Sequence, residues 1–307
     1  MALVRPRSGP GRSSVRSGGM HELRLISLPF HNGLREFGMG RGAARLASDA
    51  ALRTALERPG WRVPDVVEIE AVDESRPEIA RTIELIRRLA GAVRAAVEEG
   101  AFPMVLAGNC NSSLGTVAGV GASDLGVVWL DAHADFDDPE ENISGFFDVM
   151  GLAMLTGRGW SGLRATIPGH EPVPERNVLL AAIRDLEPYQ RARVERSELL
   201  AVGDEVDGSQ FDEALSSLSE RASRVYLHID LDSLDSSVAR ANEYAAPRGP
   251  SLQHVCHCVR AVCESITVAA AAFTSYDPAF DDGDRTLIAA REIAATIAST
   301  IAAGGAR

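Results

Sequence analysis

Val127-Val128-Trp129-Leu130-Asp131-Ala132-His133-Ala134-Asp135 is an apolar run that ends in three metal-capable side chains. The run reads as a buried strand. Asp131, His133 and Asp135 alternate at its mouth, and a period of two puts all three on one side, where they can converge on one point. A second stretch repeats the arrangement: Tyr226-Leu227-His228-Ile229-Asp230-Leu231-Asp232, with Asp230 and Asp232 on a shared face. A single strand ending in Asp-x-Asp is usually a surface turn. Two apolar strands with converging carboxylates and an imidazole point to bound cations, because unpaired buried charge is strongly disfavoured.

Strand-like runs recur at Leu23–Leu28, Met104–Ala107, Val127–Leu130, Val178–Ile183, Val225–Leu231 and Val268–Phe273. Segments with helical spacing separate them. Ile79–Val97 is the clearest, with Ile79, Ile83, Ile86, Leu89, Val93 and Val97 at three- and four-residue steps; others run over Phe211–Leu218, Leu252–Cys263 and Thr286–Ile301. Alternating strands and helices predict an α/β fold with a mostly parallel sheet covered on both faces. Ligands of such sheets bind beyond the carboxyl ends of the strands, and both acidic clusters lie there.

With 307 residues, 45% hydrophobic and 24% charged, the composition is that of an ordinary globular protein. No Pro/Ser-rich linker divides it, so residues 21–307 are expected to form one domain. The net charge of −12 argues against nucleic acid and against an anionic membrane surface as partners. No apolar run approaches the roughly twenty residues that a spanning helix needs. Residues 1–20 carry Arg5, Arg7, Arg12 and Arg16 among Gly and Ser, without the apolar core of an export signal. They are expected to be a disordered arm, or to precede a true start at Met20.

Of the four cysteines, Cys110 stands in a Gly/Asn-rich turn, while Cys256, Cys258 and Cys263 crowd one segment. Without an export signal, reduced thiols in a cytoplasm are the expectation. His254-Val255-Cys256-His257-Cys258 suggests zinc, but on a helix Cys256 points away from the rest and no fourth ligand is evident. Packing as small hydrophobes is the expected role of these three thiols.

The chain resembles the ureohydrolase (arginase/agmatinase) superfamily over nearly all of residues 23–300. Asp131, His133 and Asp135 match its Asp-Ala-His-x-Asp motif, and Asp230, Asp232 and Asp235 match its Asp-x-Asp-x-x-Asp motif. Leu28-Pro29-Phe30 and Gly38-Met39-Gly40-Arg41-Gly42-Ala43 look like its opening strand and Gly-rich turn. Ala107-Gly108-Asn109-Cys110-Asn111 lines up with its Gly-Gly-Asp-His-Ser motif. The resemblance implies a three-layer αβα sandwich of arginase type. It also implies two manganese ions that activate a shared water against the central carbon of a guanidinium, releasing urea and an amine. Oxygen-rich donors with one or two imidazoles suit manganese better than zinc. Carried over, Asp131 and Asp230 would bridge both ions, Asp135 and Cys110 would complete one shell, and His133 and Asp232 the other. Ser144 and Glu187 would contact the amino-acid end of the substrate. Relatives form rings of three or six subunits, so a homo-oligomer is expected.

Three departures bear on the substrate. Cys110 replaces a histidine ligand, and a thiol binds manganese less readily than an imidazole does. Asp148 replaces a histidine of the family's Ser-Gly-Asn-x-His-Gly segment, here Ser144-Gly145-Phe146-Phe147-Asp148-Val149. A carboxylate ionises near pH ~4 and stores a proton poorly at neutrality, so Asp148 either orients a cation or water, or caps the helix-like Val149–Leu155 run. Ser275, in Ser275-Tyr276-Asp277-Pro278, replaces the glutamate that pairs with the guanidinium. That loss removes a charge-assisted bond of about 1.5–3 kcal/mol and favours a weaker base such as an N-hydroxyguanidine. The resemblance extends to the branch of the family acting on N-hydroxy-arginine. Two alternatives stay open: the same fold and metals acting on a formimino, ureido or other guanidino acid, and a non-catalytic metal-binding descendant. His228, two residues before Asp230 on the same strand face, is expected to pack or hydrogen-bond outside the catalytic set.

Overall fold

Eight strands, all parallel, make one central sheet: β1 (Leu23–Leu28), β2 (Val67–Glu68), β3 (Phe102–Ala107), β4 (Leu125–Leu130), β5 (Val178–Ala181), β6 (Leu200–Val202), β7 (Arg224–Asp230) and β8 (Thr267–Thr274). Their spatial order is β2-β1-β3-β8-β7-β4-β5-β6. This computed structural model describes residues 21–203 and 208–304, and the expected arm at residues 1–20 lies outside the described residues.

The period-two alternation of the strands assigns each side chain to one of two apolar layers. Leu23, Leu25, Met104, Leu106, Val128, Leu130, Leu227 and Ile229 face one layer, closed by helices α2 (Ala50–Glu57), α8 (Ser209–Ser219), α9 (Leu252–Ser265) and α10 (Arg285–Gly304). Ile26, Leu28, Val105, Ala107, Val127, Trp129 and Tyr226 face the other, closed by α3 (Glu78–Glu98), α4 (Ser113–Val120), α5 (Gly151–Leu155) and α7 (Pro188–Glu195). The three-layer sandwich expected from the sequence is therefore the architecture. In chain order α1 (Gly40–Ala47) and α6 (Ser161–Arg164) complete the helices.

Several expected boundaries move for local reasons. The strand expected over Val178–Ile183 stops at Ala181, because Ala182 takes a left-handed φ of 73°. The strand expected to reach Leu231 stops at Asp230, whose Oδ1 accepts from the Asp232 amide at 2.8 Å and opens a 3₁₀ turn. The helix stripe of α3 is buried at Ile83, Ile86, Leu89 and Val93, while Val97 at its end is 39% exposed. One stretch among the described residues, Asp282–Gly304, is long and apolar enough to cross a membrane, where the sequence reading expects none. In this fold its Leu287, Ile293 and Ile297 are buried against the sheet layer.

Two glycines bring elements close enough to shape the site. At Gly115 in α4 a Cβ would stand 2.6 Å from the Ile86 carbonyl of α3, so only glycine allows this approach. At Gly42 in α1 a Cβ would stand 1.9 Å from the Tyr276 carbonyl, which presses the loop after β8 toward the sheet. Of the four central strands β3, β8, β7 and β4, the neighbours β7 and β4 send their connections in opposite directions, to β8 and to β5. A crevice at the carboxyl ends of these four central strands follows from that topology.

Candidate metal centre

Each of the four central strands delivers a polar side chain into that crevice: Cys110 after β3, Asp131 and His133 after β4, His228 and Asp230 on β7, and Ser275 after β8. Among the described residues two groups of donors converge. Cys110, Asp131, His228 and Asp230 each place one ligand atom within 4.8 Å of the others, and so do Asp131, His133 and Asp232. Asp131 belongs to both. Asp135 belongs to neither, although the strand period aimed it with Asp131 and His133. The strand has ended at Leu130, and Asp135 sits at a left-handed φ of 46° with its carbonyl accepting from the Leu152 and Ala153 amides of α5. Its carboxylate is buried and lines the same cavity. Asp235, the third acid of its motif, accepts from the Ser237 and Gly249 amides and shapes the following loop.

Backbone and side-chain bonds hold the donors. Trp129 Nε1 donates to Asp131 Oδ2 at 2.9 Å, and Asp131 Oδ1 accepts from the His133 amide at 2.7 Å. His133 Nδ1 lies 3.3 Å from Asp131 and 3.5 Å from Asp232, with its Nε2 3.7 Å from Asp185. Asn242 donates to Asp232 Oδ2 at 3.1 Å and to the Ser275 carbonyl at 2.8 Å. Cys110 Sγ is 2.9 Å from Asp230 Oδ2 and 3.3 Å from both the Thr274 and Ser275 hydroxyls.

Of the two roles expected for Asp148, the cap on the helical run that follows it is not made. Its carboxylate accepts from the Asn109 side chain at 2.6 Å and from the amides of Cys110 at 3.1 Å and Asn111 at 2.8 Å. It clamps the turn that carries Cys110. Asn109 in turn accepts from the Asn32 amide at 2.9 Å.

Electrostatics show a site short of positive charge. Burial first, then Asp232, pushes the carboxyl of Asp131 up. Burial and Asp131 push Asp135 well up, and burial and Asp232 do the same to Asp230. Burial, followed by Asp230, holds the Cys110 thiol well above its ordinary range, so it keeps its proton. Burial opposes charge on His133, but Asp232 and Asp131 outweigh it and raise the imidazole well above its usual value. The chain contains no lysine. Nearby Arg184 spends its guanidinium on the carbonyls of Asp232, Ser233 and Leu234 at 2.9–3.1 Å. Divalent cations would invert this balance by drawing off those protons. The donor set, oxygen-rich with imidazole and one thiol, therefore fits divalent ions of manganese type.

A cavity of about 550 Å³ opens over the donors. Its floor is Cys110, Asp135, Asp148, Asp230 and Ser275, and its mouth carries Ser144, Glu187, Tyr189 and Gln190. Asp137 ties the mouth together, accepting from Tyr189 Oη at 2.8 Å, Gln190 at 3.0 Å and Asn142 at 3.1 Å. Glu187 forms a capping box with Gln190 at the start of α7. Phe146 and Tyr244 stack at 6.0 Å as an apolar wall. Ser275 stands on a left-handed φ of 63°. The next carboxylate, Asp277, is engaged by Arg41 at 3.0 and 3.2 Å.

The sequence reading placed His228 outside the catalytic set and gave no site role to Tyr226, Trp129 or Asp137. Tyr226, His228 and Asp230 alternate on β7, so the signal for a shared face was present. Cys258 is buried in the apolar layer, with Cys256 and Cys263 packed beside it as expected.

The family model described as the Arginase family matches residues 21–299. The chain is 28% identical to the arginase of Bacillus caldovelox over 87% of this chain and 94% of that one. It is 31% identical to the arginase of Brevibacillus brevis over 69% of this chain and 76% of that one. Its fold superimposes on the crystal structure of the arginase from Bacillus subtilis with a TM-score of 0.81 and 27% identity, covering 90% of this chain and 98% of that one.

Proposed function

This chain belongs to the arginase family, and from that premise we propose that it is a dinuclear manganese amidinohydrolase whose substrate is arginine-like with an N-hydroxylated guanidino group. It is a hydrolase of carbon–nitrogen bonds in linear amidines. The products are an ornithine-like amine and hydroxyurea. The observation that carries the reading is the pair of donor groups sharing Asp131 beneath a cavity with no carboxylate at the Ser275 position.

Cys110, Asp131 and Asp230, with Asp135 beside them, would hold one ion; Asp131, His133 and Asp232 would hold the other. When bound, the ions supply Lewis acidity and a water nucleophile at neutral pH. The protein residues do the rest. Asp148 fixes the Cys110 turn through three accepted bonds. Ser144 and Glu187 receive the charged amino-acid end of the substrate at the mouth. Phe146 and Tyr244 exclude water from the stem. Ser275 offers the guanidino group a hydroxyl where an ordinary guanidinium would gain from an anion, so a less basic group loses little by binding here. The proposed setting is the cytoplasm, with a homo-oligomer acting on a small molecule.

Manganese-loaded protein is incubated with arginine, N-hydroxy-arginine, agmatine and formiminoglutamate, and urea, hydroxyurea and ammonia are measured. Hydroxyurea from N-hydroxy-arginine is the expected result. Turnover of another compound alone overturns the substrate, and silence on all four with metal bound overturns the catalysis.

A further inference from the structure

His228 is fully buried on β7 and faces the donors of Cys110, Asp131 and Asp230. A histidine that only fills space needs both ring nitrogens satisfied. Here the two are treated differently. Nδ1 lies 2.8 Å from Tyr226 Oη. With Nδ1 taken by the Tyr226 hydroxyl, Nε2 is the ring nitrogen left for the donor group, and a neutral imidazole that carries its proton on Nδ1 has a lone pair there.

The neighbour of Nε2 is the Thr274 hydroxyl at 3.3 Å. The same hydroxyl faces Cys110 Sγ at 3.3 Å, and the Ile229 carbonyl and Asp230 Oδ2 at 3.5 Å. One proton cannot serve all four. Trp129 stacks on the imidazole at 3.6 Å and 14°, fixing its plane, while its indole N–H fixes Asp131. A hydrogen-bond partner on one ring nitrogen is what orients a ligating imidazole, and here the Tyr226 hydroxyl takes that place while the stack fixes the ring plane.

The geometry points to His228 Nε2 as the nitrogen donor of a cation site completed by Cys110, Asp131 and Asp230. The imidazole is thereby supplied from strand β7, where the turn after β3 offers only a thiol. This inference rests on the metal reading above and adds a ligand to it.

Manganese-loaded full-length protein is read by ¹⁴N electron spin-echo envelope modulation, with metal content measured after dialysis. Two imidazole couplings are expected, from His133 and His228. His133→Asn should remove one and leave the other. His228→Gln should hold one ion as before and the second at least about tenfold more weakly. If His133→Asn binds manganese but shows no imidazole coupling, His228 is not a ligand and the inference falls while the proposed function stands. That variant decides the matter even where His228→Gln does not fold. If the unaltered protein retains no manganese, the metal reading itself falls.

Discussion

Asp148→Asn isolates the consequence of burying an anion beneath the Cys110 turn. Burial drives the Asp148 carboxyl up to about 6 from 3.8, against the bonds from Asn109, Asn111 and Cys110 that favour its ionised form. A folded-state value raised above the unfolded one means that the protonated form favours folding. The contribution is fully present below pH 3.8, is lost as pH rises through about 6, and does not change further above it. The difference of about two units corresponds to about 3 kcal/mol at 1.36 kcal/mol per unit. In a domain of this size that is roughly 5 °C in melting temperature. The amide variant keeps an acceptor for the turn but has no proton to lose. With metal removed by chelation, the stability of the native chain relative to Asp148→Asn should therefore fall by about 3 kcal/mol between pH ~4 and ~6 and then level off. Denaturant melts at half-unit pH intervals measure it. Parallel stability curves across that window would refute the reasoning, because they would mean that the clamp holds the carboxylate at its ordinary value.

Ser275→Glu places an anion beside the guanidino group, and a charge-assisted bond of about 1.5–3 kcal/mol should shift the arginine to N-hydroxy-arginine ratio of kcat/KM about tenfold to a hundredfold toward arginine. An unchanged ratio would remove Ser275 from the substrate's contacts. Trp129→Phe deletes the 2.9 Å bond to Asp131 while keeping an aromatic ring against His228. Manganese affinity, read by equilibrium dialysis, should weaken about tenfold to a hundredfold, and equal affinity would show that Asp131 needs no orienting partner.

The sandwich was legible because its signals are periodic and local. Alternation along β1, β3, β4 and β7 and the stripe of α3 are each set by residues a few positions apart. The two-residue strand Val67–Glu68 and the three-residue strand Leu200–Val202 carry too little alternation to register, and they exist because a neighbour's edge accepts them. The site was legible as far as the strand period reaches. Asp131 and His133 converge as the pattern at the mouth of β4 requires, together with Asp232, and Asp230 converges with Asp131 from β7. Asp135 stands on a left-handed φ and lines the same cavity without joining either donor group. Asp148 was unreadable for a different reason: its partners lie 37 to 39 residues away, at Asn109, Cys110 and Asn111. His228 lies between these cases. Its face followed from its position two before Asp230, but its role depends on Trp129 from β4, Tyr226 from β7 and Thr274 from β8 meeting around one ring. A buried imidazole reads as packing until its two nitrogens are seen to have unequal partners, and that inequality belongs to the sheet order rather than to any one strand.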